Sequence, residues 1–577
     1  MLDVDDSELE TFKIVNGREI PPGSNTGYIS LSHRWGSAEM PRLTATNMSS
    51  YRTGAPIADL PQTFRDAIAI TRRLKARYIW IDSLCIIQEG DGGKDWMQEA
   101  PQMADVYSKC LLNISADWSG GEHGLFFDRE SYFSHKFEIE FCLTAPKQKK
   151  QRGRGQKQPR TASKAMYTYI PAYNLEQVDD SPLAARGWVF QERILSPVIL
   201  HFGRREVLWE CCQRLASESL PSGLEDIPLN DMRTLSQSAT LKRLDPEGDP
   251  HLGRLLTQAF RGSTLSDETV RDTPYLLWWF LISKYCHCAL TFASDRLVAV
   301  SGVARYFKGI IKDQYVVGMW RKHLAIEMAW KVKSTSSMRN LNASKYPGPS
   351  FSWTSVECDF EPMNPVYDPS LLPYVEVEPV EVLRRQAEGV EVIGETDPKL
   401  SPDIVREDFF GPLTEPCVRI RVKGALKSAR LVHTQQGQWL VVPTDISSPP
   451  STPTNGDDGD SEESEITTSQ QGVRALLDFV PSEAEVEEFQ QKTFFYMLWY
   501  SHDHGTGHCF MLLEQQEQQQ QQGGVRATDV EFRRICAFRP TGFGAGKLTE
   551  ALLREQTGKS YLPGYDEGSG CHVIYIV

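Results

Sequence analysis

The strongest constraint on the fold is a regular alternation of short apolar runs with helical patterns between residues 24 and 135. Three runs rich in β-branched and aromatic side chains indicate strands, namely residues 28–32, 77–81 and 111–115. Two stretches with apolar side chains at helical spacing separate them, namely residues 63–76 and 95 to about 109. Parallel strands need a crossover connection. This order therefore predicts an α/β fold whose parallel β-sheet is flanked by helices on both faces.

The rest of the chain divides by composition. The first domain is predicted to span residues 24–220, since residues 186–195 have a helical pattern and residues 198–202 and 206–210 indicate strands. Residues 250–345 are predicted to be mainly helical, and residues 350–577 to be β-rich. Three segments are predicted to lie outside the packed cores: a basic insertion at 146–164, a disordered linker at 447–472 and a glutamine-rich loop at 515–522.

Charge and hydropathy exclude several classes of partner. The formal charge is 62 − 76 = −14, which disfavours electrostatic binding to nucleic acid or to an anionic membrane. The basic insertion is therefore interpreted as a solvated surface segment rather than a nuclear address or a nucleic-acid patch. The longest apolar run, residues 275–282, is far shorter than the roughly 20 residues of a bilayer span, so no membrane span is expected.

The amino terminus and the cysteines predict the compartment. The first six residues are acidic and precede no apolar segment, which argues against a secretory or transit peptide. The cysteines form no repeated pairs with zinc spacing. A reduced cytosolic or nuclear protein is the default interpretation, and a cytoplasmic location is predicted.

Candidate site residues follow the predicted strands, because parallel α/β sheets bind ligands at the carboxyl ends of their strands. The group after the first strand comprises Ser32, His33, Trp35 and Gly36. The group after the second strand comprises Asp82 and Cys85, and a third group at the start of the second helix comprises Trp96 and Glu99. These side chains are expected to line one ligand-binding edge.

Glu99 is the candidate catalytic carboxylate. Helical spacing places it on an otherwise apolar stripe with Trp96, Met103 and Tyr107. A buried carboxylate must be paired or hydrogen-bonded, or must have a raised pKa, and these conditions also suit a catalytic acid or base. The alternative is a structural glutamate bonded to a backbone amide or an arginine. Pro101 is expected to kink this helix or to delay its start.

Other chemistry has weaker support in the sequence. His33 and Cys85 could form a base and a thiol nucleophile, but the apolar surroundings of Cys85 favour a buried structural cysteine. His502, His504 and His508 resemble a metal cluster by number only, because their setting is typical of a glycine-rich hairpin turn. No metal site is predicted.

A dense group of charged and aromatic residues follows at Arg186, Trp188, Gln191 and Glu192. Trp188, Gln191 and Glu192 share one helix face at the predicted spacing. They are candidate binding residues that could pair with Asp82 or Glu99. A buried network that braces the helix against the sheet is an equally strong interpretation.

These segments together resemble a fungal heterokaryon-incompatibility (HET) domain. The resemblance is carried by residues 28–36, Leu60-Pro61, Thr63, 66–68, 78–88, 95–99 with Met103 and Tyr107, and 186–196. Residues 294–302 and 349–353 resemble the companion region of such proteins. The chain departs from the family pattern at His33, where a tyrosine often stands, at Pro101 and in the insertion at 146–164. The usual lead-in also looks shortened at the amino terminus.

The resemblance implies a role in fungal non-self recognition linked to growth arrest or cell death. It also implies a distant similarity to Toll/interleukin-receptor (TIR) domains, which have a flavodoxin-like sheet. Several TIR domains cleave NAD with a glutamate in a Trp-x-x-Glu setting, which Trp96 to Glu99 fits. NAD is then a candidate substrate, and no cofactor is required. Glu99 would be catalytic, Ser32 and Asp82 would line the pocket, Trp96 would position Glu99, and Trp35 would stack on a ring.

The competing interpretation is a non-catalytic module. In it, the same residues brace the fold, and the surface self-associates or binds a non-self recognition partner protein.

Overall fold

The computed structural model resolves two compact units. The first unit comprises Met1–Trp96, Val106–Ala184 and Ser196–Leu244, and the second comprises Met97–Asp105, Ala185–Leu195 and Asp245–Val577. The structure describes residues 1–5, 10–20, 27–35, 40–118, 124–126, 139–140, 165–166, 177–212, 214–218, 221–223, 273–292, 295–332, 348–356, 360–362, 371–386, 389–393, 418–444, 472–502, 507–516, 530–540, 545–553, 562–567 and 571–577.

The first unit is built on a nine-stranded sheet in the order β13-β12-β11-β8-β3-β6-β1-β2-β5. Its strands are β1 (Leu2–Asp3), β2 (Thr11–Ile14), β3 (Tyr28–Ser32), β5 (Ala55–Pro56), β6 (Tyr78–Ile81), β8 (Leu112–Ser115), β11 (Val198–Phe202), β12 (Val207–Cys211) and β13 (Leu215–Ser217). Two smaller pairs are β4 (Leu43–Thr44) with β7 (Ile87–Glu89), and β9 (Ile139–Glu140) with β10 (Ala165–Met166). The helices of this unit are α1 (Met48–Thr53), α2 (Gln62–Arg73) and α3 (Asp82–Cys85). The helices α4 (Lys94–Glu99) and α5 (Met103–Ser108) have residues in both units.

The centre of this sheet confirms the predicted parallel arrangement, since β11, β8, β3 and β6 are parallel neighbours. Every residue of β6 is buried, as expected of a strand with both faces covered. The predicted parallel arrangement does not extend to either edge of the sheet. Only four residues join β11 to β12, and so short a connection permits only antiparallel pairing. The strands β1, β2 and β5 add an antiparallel edge on the other side. The sheet is therefore mixed.

Helix α2 covers the sheet with one apolar face. Phe64, Ala67 and Ile68 of this face join the core around β3 and β6. The helix ends at Arg73, three residues before the predicted end. Lys75 adopts a left-handed φ of 59°, and the amide of Ala76 donates to the carbonyl of Thr71. This pattern is a Schellman termination, in which the last carbonyls of the helix are satisfied by a reversal of the chain.

The predicted helix from residue 95 to about 109 is interrupted. The helices α4 and α5 are separated by a 3₁₀ turn at Ala100–Gln102. Pro101 lies in this turn, where its missing N–H costs no α-helical hydrogen bond. The carboxylate of Asp95 accepts from the amide of Ile87, and the carboxylate of Asp91 accepts from the amide of Asp95.

The described elements of the second unit begin with helices. These are α6 (Gly187–Leu195), α7 (Thr273–Tyr285), α8 (Val298–Ile311) and α9 (Leu324–Glu327). Two short strand pairs accompany them: β14 (Tyr315–Val316) with β15 (Met319–Trp320), and β16 (Trp330–Val332) with β17 (Phe360–Pro362). Helix α8 packs closely against α5 and α6 at Gly302. A methyl group there would lie 2.3 Å from the side chain of Ala104 in α5 and 2.6 Å from Gln191 Oε1 in α6.

A twelve-stranded sheet confirms the β-rich prediction for the C-terminal region. Its strands are β18 (Leu371–Pro373), β19 (Glu376–Gln386), β20 (Gly389–Ile393), β21 (Val418–Gly424), β22 (Leu426–His433), β23 (Trp439–Pro443), β24 (Val473–Ala475), β25 (Thr493–His502), β26 (Cys509–Gln515), β27 (Glu531–Phe538), β28 (Tyr565–Asp566) and β29 (Cys571–Ile576). The helices α10 (Glu483–Gln491) and α11 (Ala545–Leu553) accompany it. Its core is aromatic, with Phe494, Phe510 and Phe538 among the buried residues.

Several predicted features fall outside the described residues. These are Gly36, His504, the insertion at 146–164, the linker up to residue 471 and the glutamine tract from residue 517. Across the ranges that the structure describes, no helix is both long and apolar enough to cross a bilayer.

Candidate functional site

The carboxyl ends of β3 and β6 bring three predicted site residues together. His33 and Trp35 follow β3, and Asp82 begins the helix that follows β6. The Nε1 of Trp35 donates to Asp82 Oδ2 at 3.2 Å, and His33 Nδ1 lies 3.5 Å from Asp82 Oδ1. Polar residues that follow these two neighbouring parallel strands thus meet at one sheet edge, and we call His33, Trp35 and Asp82 the Asp82 cluster.

The Asp82 carboxylate is held firmly on both oxygens. Its Oδ1 also accepts from the amide of Ser83 at 2.7 Å, and its side chain is 21% exposed. The imidazole of His33 is 2% exposed and packs edge-on against Phe64, with ring centroids 4.9 Å apart. Asp82 can therefore orient His33 and Trp35, while part of its own surface remains open to solvent.

Trp35 forms the outer wall of the Asp82 cluster. It is partly buried, and the guanidinium of Arg42 lies 5.3 Å from its ring centroid. Arg42 in turn pairs with Glu89 at 2.8 Å on the exposed surface. An exposed pair of this kind contributes little to stability. A cation over the indole nevertheless occupies the face that a stacked ligand ring would use.

Ser32 contacts a different network, within the sheet. Its hydroxyl accepts from Asn113 Nδ2 at 3.0 Å, and the hydroxyl of Ser30 donates to Asn113 Oδ1 at 3.1 Å. The parallel register of β3 and β8 pairs Ser30 directly with Asn113. All three side chains are buried. Burial of polar groups requires such bonds, so this network ties two central strands together.

Sequence reasoning missed a buried array at the ends of β8, β11 and β12. His201 Nδ1 lies 2.9 Å from Asp117 Oδ2, and His201 Nε2 lies 2.7 Å from Glu210 Oε2. Ser115 donates to the other oxygen of Asp117 at 2.7 Å. Asp117, His201 and Glu210 are each at most 3% exposed. The sequence contained one signal of this array, because His201 and Glu210 each lie within an otherwise apolar strand.

The geometry of this Asp117–His201–Glu210 array favours a protonated imidazole. Ionised carboxylates only accept hydrogen bonds, so both ring nitrogens of His201 donate when Asp117 and Glu210 are ionised. Burial acts to lower the pKa of His201, but Asp117 and Glu210 together outweigh it and raise the pKa above its ordinary value. The array is a charged clamp inside the sheet.

Cys85 lies beside the Asp82 cluster and is a structural thiol. Its sulfur accepts from the amide of Ile81 at 3.4 Å. Burial is the largest effect on this group and raises the pKa of the Cys85 thiol. A thiolate nucleophile needs a lowered pKa, so the geometry argues against a hydrolase built on Cys85 and His33.

The predicted catalytic carboxylate lies at the end of α4. Glu99 is half-buried and is followed by the buried Ala100 and Met103, so the apolar stripe continues after it. Trp96, three residues earlier on the same helix, is also half-buried. The predicted Trp-x-x-Glu spacing is thus realised on one short helix. Glu99 belongs to the second unit, together with Arg186, Trp188, Gln191 and Glu192.

The described contacts of the residues from 186 to 192 favour the bracing interpretation. Gln191 Oε1 accepts from the amide of Gly302 at 2.8 Å, and Trp188 Nε1 donates to Asp295 Oδ2 at 3.3 Å. Arg186 forms a parallel bridge with Ala289. Gln191 and Glu192 are buried. The side chains of Gln191 and Trp188 therefore link α6 to α8 and to the turn that precedes it.

Metal binding has no support in the residues described. Within them, no group of three or more histidine, cysteine, aspartate or glutamate side chains has a metal-binding arrangement. His508 lies at the start of β26 and Cys509 is buried within it.

The family comparison agrees with the resemblance drawn from the motifs. Residues 28–192 match the family model described as Heterokaryon incompatibility protein (HET). No curated protein and no solved structure is significantly similar to this chain. The matched range contains the Asp82 cluster, Glu99 and α6 as far as Glu192, whereas His201 and Glu210 lie beyond its end.

Proposed function

We propose that the protein, which carries a HET domain over residues 28–192, acts in fungal non-self recognition and triggers growth arrest or cell death. The observation that carries this proposal is the family match itself. The geometry supports the proposal because the matched range includes the Asp82 cluster. This polar cluster lies at the carboxyl ends of parallel strands, where such sheets bind ligands.

Induced expression in a filamentous fungal host tests this role. Wild-type protein should arrest growth and increase uptake of a vital dye. Trp35→Phe keeps the ring but removes the N–H that donates to Asp82, so it should weaken the arrest if the cluster contributes. Trp209→Phe is the matched control, since Trp209 is 39% exposed and lies in β12, outside the matched range. Normal growth at an equal level of folded wild-type protein would contradict the proposal.

A second candidate function is TIR-like cleavage of NAD, with Glu99 as the catalytic carboxylate. The observation that favours it is a half-buried glutamate three residues after a tryptophan, at the end of α4. A carboxylate in this role would stabilise the positive charge that develops on the ribose as nicotinamide leaves. Partial burial would strengthen that interaction because the local dielectric is lower than in water.

NAD consumption by the purified full chain tests this second function. Glu99→Gln preserves size and removes the charge, so turnover should fall by about 10²-fold or more if the carboxylate stabilises the transition state. Glu89→Gln is the matched control, because the Glu89 side chain is 62% exposed and forms an ion pair with the exposed Arg42. Equal turnover by wild type and Glu99→Gln would remove Glu99 from the mechanism.

The competing function is a non-catalytic interaction module. The bonds of Gln191 and Trp188 to the start of α8 support it, because these side chains then stabilise the fold rather than bind a ligand. Cell death with intact NAD in the same cells would select the interaction module. Loss of both cell death and NAD consumption in Glu99→Gln would select the enzyme.

A further inference from the structure

Three arginines of the second unit are at least nine-tenths buried in the described residues, and two of them have clear partners. Arg534 donates to the carbonyl of Met328 at 2.9 Å and forms an ion pair with Asp478 at 3.2 Å. Arg419 pairs with Glu531 at 3.3 Å and lies over the ring of Tyr575. Each of these guanidinium groups has a protein counter-charge, as buried charges require.

Arg296 is the exception. It is 6% exposed, and its Nη1 is fully enclosed without an acceptor within hydrogen-bonding distance. No carboxylate in the described ranges forms an ion pair with it. The neighbouring Asp295 instead accepts from Trp188. An arginine stays charged at any ordinary pH, so it cannot neutralise itself to escape the cost of burial.

The surroundings of Arg296 are ordered by other contacts. Its carbonyl accepts from the buried hydroxyl of Tyr285 at 2.7 Å. Cys288 is near enough for the guanidinium to oppose the effect of burial, but burial dominates and raises the pKa of this thiol to about 12. The sulfur therefore stays neutral and supplies no counter-charge.

The start of α8 adds a second observation that is independent of the arginine. Arg296 stands one residue before the N-cap of this fourteen-residue helix, Leu297, which has no side-chain acceptor for the first amides. Helix amino termini attract anions through unpaired N–H groups and the helix dipole. A fixed positive charge and an uncapped helix start thus occur together.

We infer that Arg296 and the start of α8 form a binding site for a small oxyanion, a phosphate or carboxylate group of a soluble ligand. The planar guanidinium offers paired donors that match both groups. Because Arg296 is only 6% exposed, the site would take a small oxyanion group rather than a protein segment. Anion binding would supply the counter-charge that the fold lacks at this position, and would stabilise the second unit where α6, α7 and α8 are tied together.

Thermal unfolding of the full chain provides the test, with inorganic phosphate and acetate as separate probes and chloride at equal ionic strength as reference. Saturating phosphate or acetate should raise the wild-type midpoint by about 2–4 °C, and the stronger probe identifies the preferred oxyanion. Arg296→Met should abolish this rise. It should also leave the midpoint without anion unchanged or higher, since it removes an uncompensated buried charge.

Arg534→Met is the matched control. It removes a buried arginine that has a protein counter-charge in Asp478, so it should lower the midpoint strongly and leave the phosphate shift of the folded fraction intact. Arg296→Lys keeps the charge but loses the paired donors, and should weaken phosphate binding about tenfold or more in a calorimetric titration.

Two results would overturn the site. One is a wild-type midpoint that neither probe raises above the chloride reference. The other is an equal rise in wild type and Arg296→Met, which would place anion binding elsewhere. Because anion binding at Arg296 requires no NAD cleavage and no cell death, its failure leaves the proposed function standing, and the reverse also holds.

Discussion

Replacement of His201 by leucine should destabilise the first unit more than the same replacement of any exposed histidine. Leucine fills a similar volume but donates no hydrogen bond. The variant leaves Asp117 Oδ2 and Glu210 Oε2 without the donors that lie 2.9 and 2.7 Å away in the wild type. Asp117 keeps the bond from Ser115 to its other carboxylate oxygen.

The expected cost follows from the burial of all three groups. A hydrogen bond to a charged group contributes about 1.5–3 kcal/mol, and His201 makes two. Breaking a buried ion pair by removing one partner typically costs about 3–5 kcal/mol. The contributions are not additive, so we expect His201→Leu to lower the free energy of unfolding by about 3–5 kcal/mol at neutral pH. Solvent screening reduces this little, because the side chains are at most 3% exposed.

The pH dependence has a definite sign. The folded pKa of His201 is raised, so the folded protein binds the proton more tightly than the unfolded chain does. The contribution of the array is complete below the unfolded histidine pKa of about 6.5 and is lost as pH rises through the folded pKa. The difference in unfolding free energy between wild type and His201→Leu should therefore shrink as pH rises above about 6.5.

Denaturant unfolding followed by circular dichroism measures both effects. His287→Leu is the control, since His287 is exposed and should change stability by less than about 0.5 kcal/mol. A loss below about 1 kcal/mol in His201→Leu would refute the buried-clamp reasoning. A difference that grows with pH across this range would refute the protonated state.

Two further outcomes test the packing of the second unit and the state of the cysteines. Gly302→Ala should lower the unfolding free energy by about 1–3 kcal/mol, because the added methyl would lie 2.3 Å from Ala104. Gly309→Ala in the same helix adds a methyl with no atom within 4 Å, so it should raise the unfolding free energy by up to about 1 kcal/mol. Equal effects of the two substitutions in calorimetry would contradict close packing at Gly302. Iodoacetamide at neutral pH should spare Cys85, whose pKa is raised by burial, and modify the exposed Cys212, as mass spectrometry can show. Rapid labelling of Cys85 in the folded protein would support the hypothesis of a hydrolase with Cys85 as the nucleophile.

Local patterns predicted the central elements of the first unit well. The runs at 28–32 and 77–81 are the strands β3 and β6 within one residue, and α2 starts one residue before its predicted start. These elements are readable because burial on both faces leaves an unbroken apolar run in a strand, and burial on one face leaves a helical period. Pro101 also acted as expected, because its ring and missing N–H disfavour an α-helix interior.

The sheet edges and the Asp117–His201–Glu210 array were not predictable in the same way. Whether β12 returns antiparallel depends on a four-residue connection, which periodicity does not report. Asp117 and His201 are 84 positions apart, and only the parallel register of β8 with β11 brings them to hydrogen-bonding distance. A polar residue in an apolar strand signals a buried polar contact without identifying its partner.

The amino-acid sequence thus determined which segments are strands and helices. It also determined that polar groups follow two parallel strands at one edge, because periodicity and chain direction are local properties. Tertiary structure alone decided the partners. It gave Asp82 the donors Trp35 and Ser83, and it enclosed the Nη1 of Arg296 without an acceptor in the described residues. Burial and pairing depend on distances between segments that are remote in the sequence. The energy of a charged side chain depends on these distances because they set its desolvation and its hydrogen bonds.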